Sequence, residues 1–263
     1  MFKFKLDVVG RIVTSAIAIL LCACTVSLIT FGIRGVRPEL KQPKVETVPS
    51  VTSSAKLGET PDYGRFYTET IIFLGDTTVS PMRDVNVLQG IGEQVQIWTD
   101  EDGTLPLASN IDRTEIVIQS LEKNAYIADA VAEINPQYLL ITVGIENGVR
   151  YCTETQFKDY YTKLIVAVKE ASPETKIIVN SIFPVSRKYE KKTSGISMDK
   201  IDTANGWIVE IAEEQGIRYL DSTTVLKSSK GYLKSEYDSG DGLHLNAEGY
   251  KAFLNYVRTH GYK

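Results

Sequence analysis

The 263-residue chain has three cysteines, two histidines and fewer Lys and Arg (29) than Asp and Glu (33), and each scarcity bears on a class of chemistry. Cys22 and Cys24 lie in an apolar N-terminal stretch, so Cys152 is alone in the remainder and cannot form a disulfide within it. With cysteine and histidine this sparse, no cluster has the ligand spacing of a zinc site, and neither a metal nor any other cofactor is expected. Of the 29 Lys and Arg residues eight precede position 61, and of the 33 Asp and Glu residues four do, which leaves the rest of the chain with 21 against 29 and a net charge of about −8. An anionic domain is poorly suited to neutralise a run of phosphates, which argues against nucleic acid as a partner.

Charge is missing altogether from the 22 residues 12–33, IVTSAIAILLCACTVSLITFGI. At ~1.5 Å rise per residue, such a helix is long enough to cross a hydrocarbon core of about 30 Å. It is apolar on every face and follows Lys3, Lys5 and Arg11, so it reads as a transmembrane signal-anchor behind a short flank, residues 1–11, and not as a buried globular helix. Arg34, Arg37, Lys41 and Lys44 rival the basic residues before it, so charge alone leaves the side of the membrane open. Residues 34–66 carry Pro38, Pro43, Pro49 and Pro61 among polar residues with no sustained period, and are expected to form a flexible tether. One folded domain, residues 67–263, is expected to follow.

In that domain short apolar runs alternate with amphipathic ones. Ile71-Ile72-Phe73-Leu74, residues 94–98, Glu115-Ile116-Val117-Ile118, residues 138–143, residues 176–179 and residues 217–220 read as strands. Residues 124–134, 153–171, 199–215 and 247–258 have helical spacing. Thr153 and Gln156 are placed as a capping box, Asn246 as an N-cap, and Gly216 as a C-terminal stop. Continuous apolar strands between helices indicate a three-layer α/β fold, a parallel sheet with helices on both faces. Ligands of such sheets bind beyond the carboxyl ends of the strands, so polar residues there carry the functional weight.

His260 lies three residues from the end of the sequence, which leaves His244 as the one plausible imidazole base. It follows Asp241 by three positions in the glycine-punctuated stretch SGDGLHLN. A carboxylate so placed can accept from one ring nitrogen and leave the other free to take a proton from a hydroxyl. The alternative is an ordinary histidine at a helix start, satisfied by a nearby acid. Hydroxyls decide between them: IIFLGDTTVS ends an apolar strand with Gly75, Asp76 and Thr77. An acyl-transfer enzyme wants its nucleophile at such a strand end, beside N–H groups that hold an oxyanion. Asn147 after the 138–143 strand offers a side-chain amide for that purpose, and Gly103 offers a backbone N–H.

The order Gly75-Asp76-hydroxyl on the first strand, Gly144 with Asn147 after a middle strand, and Asp241-x-x-His244 before the last helix resembles the SGNH or GDSL hydrolase family from about Thr70 to Tyr262. IVNSIFPV at 178–185 and Ala204-Asn205-Gly206-Trp207 look like stretches of its bacterial, surface-directed members. The resemblance implies a flavodoxin-like sheet and metal-free hydrolysis of an ester, often an acyl group on a carbohydrate. It makes Asp241 and His244 the orienting acid and the base, Thr77, Gly103 and Asn147 the oxyanion donors, and Gly75 and Asp76 structural neighbours of the site.

The departure is Thr77, which stands where the family has serine; its extra methyl restricts χ1 and crowds an approaching carbonyl. Two functions follow. One is a membrane-anchored esterase displayed outside the cell, acting on a small-molecule or carbohydrate ester with Thr77 as nucleophile. The other is a degenerate surface module that binds glycan or acyl groups without hydrolysis. The retained Asp241 and His244 favour the enzyme, because a pocket that only binds has less need of an oriented base.

Overall fold

A computed structural model of the chain describes residues 53–88, 95–145, 147–193 and 195–263. The apolar runs form β1 (Ile71–Gly75), β2 (Ile97–Trp98), β5 (Tyr138–Thr142), β6 (Lys176–Asn180) and β7 (Arg218–Leu220), all parallel, in the order β2-β1-β5-β6-β7. Between β2 and β5, β3 (Glu115–Ile118) and β4 (Lys123–Tyr126) make a separate antiparallel hairpin. Numbered along the chain, the five parallel strands run 2-1-3-4-5, the flavodoxin-like order, whose switch point lies between β1 and β5.

The helices are α1 (Gly64–Glu69), α2 (Ile127–Ile134), α3 (Asn147–Tyr151), α4 (Glu154–Ala171), α5 (Arg187–Lys192), α6 (Met198–Glu214), α7 (Thr223–Leu226) and α8 (Ala247–Thr259). Period-2 alternation sends successive strand residues to opposite layers. Leu139 and Ile141 join Phe157 and Leu164 of α4 and Ile208 of α6 in one core. Leu140 joins Phe73 with Tyr250 and Phe253 of α8 in the other. Parallel register sets Leu74 against Ile141 and Gly75 against Thr142, which brings the loops after β1 and β5 together.

Several sequence-based expectations hold to the residue. Thr153 and Gln156 form a reciprocal capping box before α4. The Asn246 side chain accepts from the Gly249 N–H at the start of α8. Gly216, at φ +62°, follows α6.

Two differ. The helix expected over 124–134 begins only at Ile127, because 123–126 is taken by β4, which pairs Tyr126 with Glu115 and Lys123 with Ile118. The tether expected over 34–66 does not reach 66. Leu57 N–H donates to Tyr219 O (2.8 Å) and Tyr219 N–H to Ala55 O (2.9 Å), so residues 55–57 lie along the free edge of β7; Thr60 N–H then meets Thr259 O at 2.6 Å. Ala55 and Leu57 are buried, and the folded unit includes residues 53–66. Backbone pairing with a strand over 160 residues away overrides the polar, proline-containing composition.

Among the described residues no helix is long and apolar enough to cross a membrane. The expected flank at 1–11, anchor at 12–33 with Cys22 and Cys24, and first part of the tether, 34–52, lie outside them.

Candidate active site

The loop after β1 is tied down on several sides. A Cβ on Gly75 would lie 2.5 Å from Cβ and Cγ2 of Val79, so only glycine lets the chain fold back this tightly. Asp76 is buried, and its carboxylate accepts from four donors: Thr78 N–H (3.0 Å) and Oγ1–H (2.8 Å), Gly144 N–H (2.9 Å) and Ile145 N–H (3.2 Å). Burial raises its pKa above the ordinary carboxylate value, against the pull of these donors. Asp76 N–H also donates to Thr142 O (3.1 Å), and Tyr250 of α8 donates from its hydroxyl to Thr78 O (2.6 Å). Thr77 is therefore the half-buried residue of a turn fixed to β5 and to α8.

The loop before α8 is fixed just as firmly. Asp238 Oδ1 accepts from Gly240 N–H (2.7 Å) and Gly242 N–H (2.8 Å), and Asn246 Nδ2 donates to the carbonyls of Glu236 and Asp238. Gly242 sits at φ +87°, where a Cβ would come within 2.1 Å of Ser186 Oγ. Within this frame Asp241 Oδ1 accepts from the N–H groups of Leu243 (2.8 Å) and His244 (2.9 Å), while Oδ2 lies 2.6 Å from His244 Nδ1. Burial works against the Asp241 charge, but the His244 N–H, the His244 ring and the Leu243 N–H outweigh it and hold the carboxyl down to about 2. An ionised Asp241 accepts a hydrogen bond from Nδ1–H, which leaves the Nε2 lone pair free for the Thr77 hydroxyl.

That nitrogen is 3.0 Å from Thr77 Oγ1. The structure thus brings the three expected residues into one relay from Asp241 through His244 to Thr77, with each step in hydrogen-bond reach. Ser80 does not join it; its hydroxyl faces back to Thr77 O at 3.5 Å.

The expected oxyanion donors fare unequally. The Thr77 N–H has no acceptor among the described residues. Asn147, the first residue of α3, donates through Nδ2 to Leu107 O (2.8 Å), which engages one of its two hydrogens and fixes the amide. Gly103 is a correction: its N–H donates to Asp100 O (3.1 Å) and closes a turn, so it is not a free donor. Glu146, which precedes Asn147, lies outside the described residues.

Beside this centre is a cleft of about 320 Å³, lined by Asp76, Gly144, Asn147, Leu105, Leu107, Arg150 and Tyr151 among others. Sequence reasoning missed Leu105, held at φ +30°, and Arg150. Neither carries a local signal, since Leu105 is not a turn residue type and Arg150 sits on a five-residue helix too short to show a period. Trp207, expected as packing, is half-buried with its ring 5.4 Å from that of Phe157.

The sequence model of the GDSL-like Lipase/Acylhydrolase family matches residues 88–252, more than half of the chain, a span that includes Asn147, Asp241 and His244 and begins after Thr77. No curated protein matches the sequence. Among solved structures, a Streptococcus pneumonia protein provisionally assigned as a platelet activating factor is 20% identical, with 72% of this chain and 82% of that one covered and a TM-score of 0.50. A lipolytic protein of the G-D-S-L family from Desulfitobacterium hafniense DCB-2, also a provisional assignment, is 20% identical over 72% of this chain and 97% of its own, with a TM-score of 0.48. Est24, a carbohydrate acetylesterase from Sinorhizobium meliloti, is 15% identical over 72% and 95%, with a TM-score of 0.48. At 20% identity the likeness to the first of these concerns the fold alone.

Proposed function

The chain belongs to the GDSL-like lipase/acylhydrolase family, and from that premise we propose that it hydrolyses carboxylic esters with Thr77 as nucleophile, His244 as base and Asp241 as the group that holds the base. The observation that carries this reading is the unbroken relay, 2.6 Å from Asp241 to His244 and 3.0 Å from His244 to Thr77.

Thr77 Oγ1 attacks the ester carbonyl carbon while its proton passes to His244 Nε2. The negative charge that develops on the carbonyl oxygen is met by the Thr77 N–H and the remaining Asn147 amide hydrogen. His244 then returns the proton to the departing alcohol, which leaves an acyl group on Thr77. Water, deprotonated by the same imidazole, releases the acid and restores the hydroxyl. Asp241 keeps Nδ1 protonated throughout and balances the imidazolium.

The threonine methyl slows this cycle without removing any of its groups. A competing binding-only module has no use for a base aligned on a hydroxyl, which is why the esterase reading is preferred.

For the substrate we favour a small ester or an acylated cell-surface carbohydrate, approached through the open cleft. The chain would be a single-pass membrane protein, anchored by residues 12–33 with the folded domain outside the cell. Fractionation, together with digestion of intact cells by an added protease, checks this placement; a domain that stays protected in intact cells and is cut only after lysis rejects it.

The enzymatic reading is tested on the full chain with short acyl nitrophenyl esters. Wild type turns over, and Thr77→Ala and His244→Ala both fall by at least a hundredfold. Activity that survives Thr77→Ala removes Thr77 as nucleophile.

A further inference from the structure

The cleft beside Asp76 meets a second hollow. Arg150 and Tyr151 line both the cleft that reaches Asn147 and a neighbouring cavity of about 290 Å³ that is also lined by Trp207, Asp199 and Lys200. Arg150 is thus the cation at the junction of the two, and no described acid is paired with it. Among the described residues it forms no ion pair, and its Nε is buried without a hydrogen-bond acceptor. The acids that line the two hollows among the described residues are otherwise engaged or unpaired with it. Asp76 already accepts from four donors, and Asp199, which lines only the second cavity, makes no ion pair with Arg150.

The guanidinium is nevertheless held. Its stem packs against Gly195, where at φ +88° an added Cβ would lie 2.9 Å from Arg150 Cγ. The head lies 5.6 Å from the centroid of the Tyr151 ring, and Tyr151 is 69% exposed. A buried N–H without an acceptor is a standing cost to the empty protein, which a ligand oxygen would remove. A planar head with five donors fits the paired oxygens of a carboxylate or a phosphate better than it fits a neutral hydroxyl. With a domain charge of about −8, long-range attraction is not available to an anion, so its recognition has to come from a contact of this kind.

We infer that Arg150 selects substrates that carry a negatively charged group, a carboxylate or a phosphate, near the scissile ester. This deepens the esterase reading of the same site and rests on it. Arg150 acts as a specificity residue; the reacting atoms stay with Thr77 and His244.

The test uses three acetylated methyl glycosides that differ only at C6, which is a hydroxymethyl group, a carboxylate or a phosphorylated hydroxymethyl group. With the full chain, kcat/KM for one charged glycoside exceeds that for the neutral one by at least tenfold, and the preferred arm identifies the anion. Arg150→Met keeps the stem on Gly195 and removes the charge, and it brings the charged-to-neutral ratio down to about one. Arg150→Lys keeps the charge without the fork and gives an intermediate ratio, which decides the matter if the methionine variant does not fold.

Equal rates on all three glycosides in wild type, or a ratio unmoved by both substitutions, overturns the inference while the esterase activity stands. If no glycoside is hydrolysed, the esterase reading has failed only where the nitrophenyl esters are left intact as well. Calorimetric titration with the deacetylated glycosides then decides for Arg150: binding of a charged glycoside that Arg150→Met abolishes sustains its role, and binding that ignores charge, or no binding, ends it.

Discussion

Oγ1 of Thr77 stands 3.0 Å from Nε2 of His244, although 167 positions separate the two residues along the chain. Neither side chain positions the other. Thr77 is placed by the turn that Asp76 fastens to the loop after β5, and His244 by the carboxylate of Asp241 in a loop braced by Asp238 and Asn246. Their meeting is the product of two separately rigid loops, and each can be perturbed alone.

Thr77→Ser keeps the hydroxyl and deletes the methyl that crowds the carbonyl. Displacement of a reacting atom by about 1 Å can cost on the order of a hundredfold, so the serine variant is expected to be faster by ~10- to 100-fold in kcat, measured on a short acyl nitrophenyl ester. A serine variant no faster than wild type means that the methyl is not what limits turnover.

Asp241→Asn keeps the size of the side chain but no longer enforces the tautomer with the Nε2 lone pair toward Thr77. A loss on the order of 10²–10⁴ in kcat is expected, with little change in KM. Steady-state kinetics on the same ester separates this from a binding defect, which would show in KM.

The same carboxylate makes a pH-dependent contribution to stability. Its folded-state pKa, about 2, lies below the ordinary 3.8, so the contribution is complete above about pH 4 and disappears as pH falls through 2. The Asp241 side chain is 51% exposed, and solvent screening reduces the effect to about 1 kcal/mol or less. Melting temperatures of wild type and Asp241→Asn should therefore differ at pH 6 and converge toward pH 2. A gap that stays constant over that range assigns the difference to something other than the charge.

Asp76→Ala strands the N–H groups of Thr78, Gly144 and Ile145 in a buried setting. At about 1–3 kcal/mol for each unsatisfied buried donor, a destabilisation of at least ~3 kcal/mol is expected in urea unfolding. Activity should fall with it, because the Thr77 turn loses its tie to the β5 loop. A stable, fully active Asp76→Ala protein would show that the turn holds itself.

Gly75→Ala is the smallest change that moves Thr77. The new Cβ, 2.5 Å from Cβ and Cγ2 of Val79, forces the turn outward at a cost of about 1–3 kcal/mol. The expected signature is a loss of kcat out of proportion to the modest fall in melting temperature. Unchanged kcat would mean that the turn yields elsewhere than at Thr77.

The sequence by itself determined whatever is written within a few residues. Apolar runs and helical spacing gave the layers; Thr153 with Gln156 and Asn246 before α8 gave two helix starts; Asp241 three residues before His244 gave the oriented base. Each of these is a local relation, fixed by helix or loop geometry over one turn of chain. The tertiary structure alone decided that residues 55–57 flank β7 and are not tether, that Lys123–Tyr126 pairs as a strand and does not open a helix, that the Gly103 N–H is engaged by Asp100, and that Arg150 lines the cleft with no ion pair among the described residues. The edge pairing, the register of β1 on β5 and the lining of the cleft join segments tens to more than a hundred residues apart, and Gly103 turns on which acceptor its own loop folds to present. No window of sequence short enough to read by period or motif contains both partners of the long-range contacts, so the threonine at 77 could be seen in the sequence, but the imidazole it faces could be placed only by the fold.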